Sequence, residues 1–176
     1  RILDDNIDYV DLIFNKKPTS LYTDLKTYLN QIGNSNIPSL LVSEYLPGRE
    51  ITVDTVASNG FQKICLCRLR TKMNSGISIA GSFIEIPYVE ELCAKITSLL
   101  SLTGPIGYQF KEDENGYFKI IEINPRIQGS SVTSMGMNIN LAEIAVELTL
   151  NPSFNISNKK KSGINFIRFY DEIYYS

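Results

Sequence analysis

Apolar residues recur along this chain with two different periods, and the changes of period mark its elements. In DDNIDYVDLIFNK, residues 4–16, Ile7, Val10, Ile13 and Phe14 fall at helical spacing behind aspartates that can cap a first turn. PTSLYTDLKTYLNQIG, residues 18–33, repeats the period with Leu21, Leu25, Tyr28 and Leu29 on one face and Gly33 as a stop. The period then shortens to two. PSLLVSEYL (38–46), EITVDTVAS (50–58), QKICLCRLR (62–70) and GISIAGSFIEI (76–86) are rich in β-branched residues and predict strands, with Asn59-Gly60 as a hairpin turn between the second and third. PYVEELCAKITSLLSLTG predicts a helix over 87–104 that ends at Gly104. IGYQFKEDENGYFKIIEINP (106–125) predicts two strands turning at EDENG. NINLAEIAVELTLN predicts a helix capped by Asn138 or Asn140, and INFIRFYDEIYY (164–175) a last strand. Strands in hairpins with helices between them predict an α+β fold, a mainly antiparallel sheet with flanking helices. With no repeat, low-complexity stretch or linker, residues 1–176 read as a single unit.

One strand breaks the expected pattern. KIIEINPRIQGSS, residues 119–131, carries Glu122 and Asn124 two apart, then Pro125 and Arg126. Residues two apart on a strand share a face. The turn at EDENG brings Gln109 back toward Glu122, so one carboxylate and two amide oxygens form a patch. Such hard oxygen donors suit Mg²⁺ or Mn²⁺, which take their remaining ligands from phosphates and water. Arg126 beside them would meet the same phosphates with a planar fork. A glutamate and an asparagine on a half-exposed strand also make an ordinary solvated face. A second group of residues, LLVSEYLPGREITVD (40–54), points the same way. An apolar strand reaches Glu44, Tyr45 and Leu46, breaks at Pro47-Gly48 and resumes at Glu50. Such a hinge can offer main-chain groups to a flat heterocycle while Glu50 offers a carboxylate to sugar hydroxyls.

Composition narrows the chemistry. The 176 residues are 43 % hydrophobic and 20 % charged, a globular balance. The net charge of −2 argues against a nucleic-acid or membrane binder, and no apolar run is long enough to span a bilayer. There is no histidine, which excludes a histidine base, a Ser-His-Asp or Cys-His site and a His-rich zinc site. Cys65, Cys67 and Cys93 form no disulfide framework and fit a reducing, cytoplasmic setting. Cys65 and Cys67 share a strand face and read as small core residues.

SEYLPGREITVD, RLRTKMNSGISIAG, GPIGYQF and IIEINPRIQGSS together resemble the ATP-grasp superfamily over residues 1 to about 150. The nearest members in pattern are the carbamoyl-phosphate synthase large-subunit-like proteins and related carboxylate–amine ligases. The ordered Gln…Glu-x-Asn-Pro-Arg pattern carries this resemblance; the hinge alone does not. The resemblance implies that Ser43, Glu44, Tyr45 and Leu46 hold adenine through main-chain bonds, that Glu50 takes the ribose, and that Gly76, Ile77 and Ser78 border the nucleotide. It implies Gln109, Glu122 and Asn124 as ligands of one or two Mg²⁺ ions. Arg126 is implied at the transferred phosphoryl group, with Arg68, ahead of Arg70, facing the same cleft. The partners it implies are ATP and a small carboxylate, with oligomerisation left open. The activity it implies is attack of that carboxylate on ATP to give an acyl phosphate, then displacement of phosphate by an amine or similar nucleophile. The family's N-terminal subdomain, with its lysines and glycine-rich flap, is not in this sequence. The chain therefore resembles the C-terminal half of an ATP-grasp module that belongs with an upstream part of the same polypeptide and is expected to be inactive alone. The alternatives are a noncatalytic nucleotide- or ligand-binding or regulatory domain on the same fold, and a phosphate-chemistry enzyme of unrelated architecture.

Overall fold

Strand β3 (Glu50–Ser58) lies inside a six-stranded sheet in the computed structural model of the chain, which describes residues 2–8, 10, 11, 22–33, 36–74, 76–156, 162–169 and 171–175. The other members are β4 (Phe61–Asn74), β5 (Ile77–Ile84), β6 (Gly104–Glu112), β7 (Phe118–Asn124) and β8 (Asn165–Ile167). Their order is β7-β6-β3-β4-β5-β8, and every neighbouring pair is antiparallel. Helix α2 (Pro87–Leu99) and helix α3 (Leu141–Leu150) flank the sheet, so the fold is α+β as the periodicity predicts. The contacts group the chain into two compact units, Arg1–Tyr45 and Leu46–Ser176, where the sequence alone reads as one.

In the first unit, β1 (Ile2–Leu3) pairs in parallel with β2 (Tyr22–Thr23). Helix α1 (Leu25–Ile32) follows, its first turn capped by Asp24, whose side chain accepts from the Thr27 amide at 2.8 Å. Gly33 ends it at φ 53°, a backbone state that favours glycine. Of the helix expected over 4–16, Asp8 accepts from the amides of Val10 and Asp11 at 2.9 and 3.1 Å. Ile13, Phe14 and, in the next segment, Leu21 lie outside the described residues. The strand expected over 38–46 does not form. Leu41 and Val42 are 96 % and 81 % exposed. Apolar β-branched content makes a strand only where an edge completes its ladder, and the described residues offer this run none.

The second unit follows the sequence pattern closely as far as α3, but of the last strand expected over 164–175 only Asn165–Ile167 forms among the described residues. Asn59 and Gly60 take φ 52° and 78°, the paired left-handed states of the tightest hairpin turn. That same turn explains why α2 stops at Leu99, short of the predicted Gly104. The Gly60 amide donates to the Leu102 carbonyl at 3.0 Å and the Asn59 amide to the Thr103 hydroxyl at 3.0 Å, which draws 101–103 out of the helix. Helix α3 is capped by Asn140, which accepts from the Glu143 amide. Asn138, the other cap candidate, instead closes a 3-10 helix, Ser131–Met137, in the left-handed state.

Alternation along β3 sorts the sheet into two faces. Ile51 and Val53 look one way with Cys65, Cys67, Ile106, Tyr108 and Phe110, and pack with Val89 and Cys93 of α2 in a continuous apolar core. Each such side chain, fully buried, contributes about 1.5–3 kcal/mol. The three cysteines are buried and none is in a disulfide. On the other face only one end is apolar: Val56, Leu66 and Phe83 pack with Met137, Ile139, Ile144 and Leu148. The rest of that face is polar.

A clasp secures the entry to β3. The Gly48 amide donates to the Glu112 carbonyl at 3.0 Å, and a Cβ on Gly48 would stand 2.5 Å from Glu112 Cβ, so only glycine fits. The buried Glu112 carboxylate accepts from the Arg49 amide and guanidinium, which hold its carboxyl below the usual range despite burial. A carboxyl depressed in the folded state stabilises the fold above its unfolded pKa of about 4.3 and loses that contribution as pH falls through the lower folded value. Glu112→Gln is therefore expected to cost about 1–2 kcal/mol at pH 7. Thermal melting of both proteins from pH 7 to pH 3 should show the gap closing only in acid; a gap constant with pH would refute the ionic origin.

Candidate functional site

The register of the sheet decides which polar residues meet. Gln109 is the direct cross-strand partner of Glu122, and its Nε2 donates to Glu122 Oε2 at 2.7 Å. Asn124 stands opposite Gly107 on the same face. The regular register from Gly107 to Gln109 keeps Glu122 and Asn124 in phase with Gln109, and the bulge at Ile121 falls just beyond it. From the other side, Glu50 projects from the start of β3 and forms an ion pair with Arg70. Arg70 is a hub. Its guanidinium also donates to the Gly76 carbonyl, to Ser78 Oγ at 3.0 Å and, at 3.4 Å, to Gln109 Oε1. A hydrogen-bonded line thus runs Glu50–Arg70–Gln109–Glu122 across three neighbouring strands and onto a fourth.

The predicted residues are placed as follows. Gln109, Glu122 and Asn124 share one face, and Glu50, Gly76 and Ser78 gather around Arg70. Ile77 is exposed beside them. Arg126 is exposed just beyond β7, its amide donating to the Asn124 carbonyl at 2.8 Å. Ser43, Glu44 and Tyr45 close the first unit and Leu46 opens the second. Within the first unit, residues 40–45 line a cavity of about 440 Å³ with Ile2, Leu3 and Tyr28. Tyr45 is held there by a 3.1 Å hydroxyl contact with Tyr22.

Arg68 is the departure. It is fully enclosed, its NH2 donates to Asp54 Oδ2 at 2.8 Å, and its guanidinium lies 5.9 Å from the Phe166 ring centroid. It presents no surface to a ligand; the arginine that meets Glu50 and Gln109 is Arg70. Both lie on the same strand face, so alternation could not separate them. Position does: Arg68 pairs with Phe83 and the covered half of the sheet, Arg70 with Gly81 at the open end. The sequence reading also passed over Thr52, Asp54 and Ser131. The signal was present, since Glu50, Thr52 and Asp54 occupy every second position of a core strand just as Glu122 and Asn124 do.

These residues fit a small divalent cation by donor type. Among the described residues no cluster of three or more His, Cys, Asp or Glu could hold a metal. An ion here would rely on the Glu122 carboxylate, the two amide oxygens and phosphate. Asn124 Nδ2 is enclosed without a hydrogen-bond partner, so turning that amide over to present oxygen costs no existing bond.

Comparison with known proteins bears on the family and the fold. The model of a family described as ATP-grasp in the biosynthetic pathway with Ter operon matches residues 36–168. Among solved structures, the fold resembles the biotin carboxylase domain of Hydrogenobacter thermophilus 2-oxoglutarate carboxylase (TM-score 0.51, 18 % identity, 62 % of this chain and 26 % of that one), a structure with MgADP and bicarbonate. It also resembles the Aquifex aeolicus phosphoribosylaminoimidazole carboxylase ATPase subunit (0.53, 18 %, 60 % and 34 %) and Campylobacter jejuni biotin carboxylase (0.50, 20 %, 59 % and 26 %). The chain thus spans about a quarter to a third of the length of these proteins. Comparison with curated protein sequences gives no match. No helix among the described residues is long and apolar enough to cross a membrane.

Proposed function

The chain belongs to the ATP-grasp family of the biosynthetic pathway with Ter operon, and from that membership we propose that it serves an ATP-dependent ligase that activates a carboxylate. The observation that carries the reading is the Gln109–Glu122 cross-strand pair, set on one polar half-face with Asn124 and the Glu50–Arg70 pair. In this reading Ser43 through Leu46 offer main-chain groups to adenine and Glu50 accepts from ribose hydroxyls. Arg70 holds Glu50 and the Gly76–Ser78 segment in place, and takes from Arg68 the position facing the cleft.

Glu122, Gln109 and Asn124 would hold Mg²⁺, or Mn²⁺ in its place. When bound, the ion neutralises phosphate charge and stabilises the phosphoryl group in transfer. Arg126 presents its planar fork to the same phosphoryl oxygens, worth most once water is excluded. A substrate carboxylate oxygen attacks the γ-phosphorus and ADP leaves. An amine or similar nucleophile then attacks the acyl carbon, forming the new bond as inorganic phosphate leaves. This chemistry asks for positioning and charge rather than a protein nucleophile, which a chain without histidine can supply. The motif order favours carbamoyl-phosphate synthase-like chemistry, and three buried cysteines outside any disulfide suit a cytoplasmic protein.

The test is ADP release by the purified full-length protein with Mg-ATP and a panel of carboxylic acids, with hydroxylamine present to trap an acyl phosphate as its hydroxamate. Release that depends on one acid, with hydroxamate formed, is expected. Hydrolysis indifferent to every acid would overturn the reading.

A further inference from the structure

Beneath the polar half-face lies a second, closed network that the proposed chemistry does not use. Asp54 is 3 % exposed and both its oxygens are engaged. Oδ2 accepts from Arg68 NH2 at 2.8 Å, and Oδ1 accepts from Ser131 Oγ at 2.5 Å. Ser131, itself buried, also accepts from the Gln128 amide at 3.2 Å. The Gln128 side chain is seated on Gly107: a Cβ there would come within 2.0 Å of Gln128 Nε2. At its near end the same loop begins with the Arg126 amide bonded to the Asn124 carbonyl at 2.8 Å. The loop that carries Arg126 is therefore held at both ends, by β7 on one side and by a buried carboxylate of β3 on the other.

We propose that Asp54 and Ser131 are positioning residues that set the 125–131 loop and thereby aim Arg126, with Arg68 acting through Asp54 as the fixed counter-charge. This rests on the ligase reading for Arg126. Carboxylate-to-hydroxyl bonds are short and strong when desolvated, which suits a tether that must hold a small displacement. A shift of about 1 Å in a charged group at the reacting phosphoryl can cost about a hundredfold in rate. Asp54 and Ser131 make no described bond to Gln109, Glu122 or Asn124, so nucleotide binding should be spared.

The test is Ser131→Ala in the full-length protein, with Thr133→Ala as control; Thr133 lies in the same 3-10 helix and bonds only the Ser130 carbonyl among the contacts seen. For Ser131→Ala, kcat for acid-dependent ADP release should fall about tenfold while KM for ATP stays within about twofold. Hydrogen exchange at the 126–131 amides should quicken, with β3 and β7 unchanged and the melting temperature within a few degrees. Thr133→Ala should match wild type in all of these. Unchanged exchange in 126–131 would overturn the tether, as would a normal kcat beside a wild type that turns over. A wild type that releases no ADP with any acid would instead sink the ligase reading, and the exchange data would then decide the tether alone.

Discussion

Glu122→Gln is expected to reduce acid-dependent ADP release of the full-length protein by at least about a hundredfold, on the order of 3 kcal/mol of transition-state stabilisation, with the fold intact. The carboxylate carries the single formal charge among the three donors facing the proposed metal position, and the amide that replaces it has the same shape. Glu122 is exposed and its partner Gln109 can still bond a glutamine, so packing is preserved. What is lost is attraction to the cation and, through it, neutralisation of the phosphoryl charge. Arg126→Lys should fall less, since it keeps the charge and gives up only the bidentate fork. The measurement is steady-state ADP release beside thermal melting of each variant. If Glu122→Gln melts far below wild type and its residual activity follows only the folded fraction, Glu122 is structural and the metal position lies elsewhere.

Arg68→Ala is expected to act on the fold as well, costing about 3–5 kcal/mol of stability and lowering the melting temperature by about 10 °C or more. The substitution leaves the Asp54 carboxylate buried with no counter-charge and opens a cavity beside Phe83 and Phe166. Two nitrogens of Arg68 have no hydrogen-bond partner, so the pair is retained against a desolvation cost rather than as a strong net stabiliser. The double variant Arg68→Met with Asp54→Asn removes both charges and should recover most of the lost stability. It should not recover kcat, because an amide holds Ser131 less firmly than a carboxylate. Denaturant unfolding and kinetics on the single and double variants separate the two effects. A double variant as unstable as Arg68→Ala would refute the stranded charge as the source of the cost.

Much of the fold was legible in the sequence because its signals are local. The alternation of 50–58 and 62–70, the Asn59-Gly60 turn, Pro87 at the head of α2 and Asn140 at the head of α3 each state a backbone preference within a few residues. The Glu122, Asn124 and Gln109 grouping was legible too, since period two and a short hairpin suffice to place them on one face. The 38–46 run misled for the complementary reason: it has strand composition, but a strand exists only where another edge meets it. What separates Arg70 from Arg68, two residues away on the same face, is likewise absent from local pattern. It depends on how far α3 and the 3-10 helix extend over the sheet. Under that cover an arginine must find a buried carboxylate, which Asp54 provides from the neighbouring strand; beyond it, the same side chain reaches Glu50, Gly76 and Gln109. The tether from Ser131 to Asp54 joins residues 77 apart in sequence. Alternation determined which side chains could face the site; the packing of helices over half of one sheet face decided which of them are open to it.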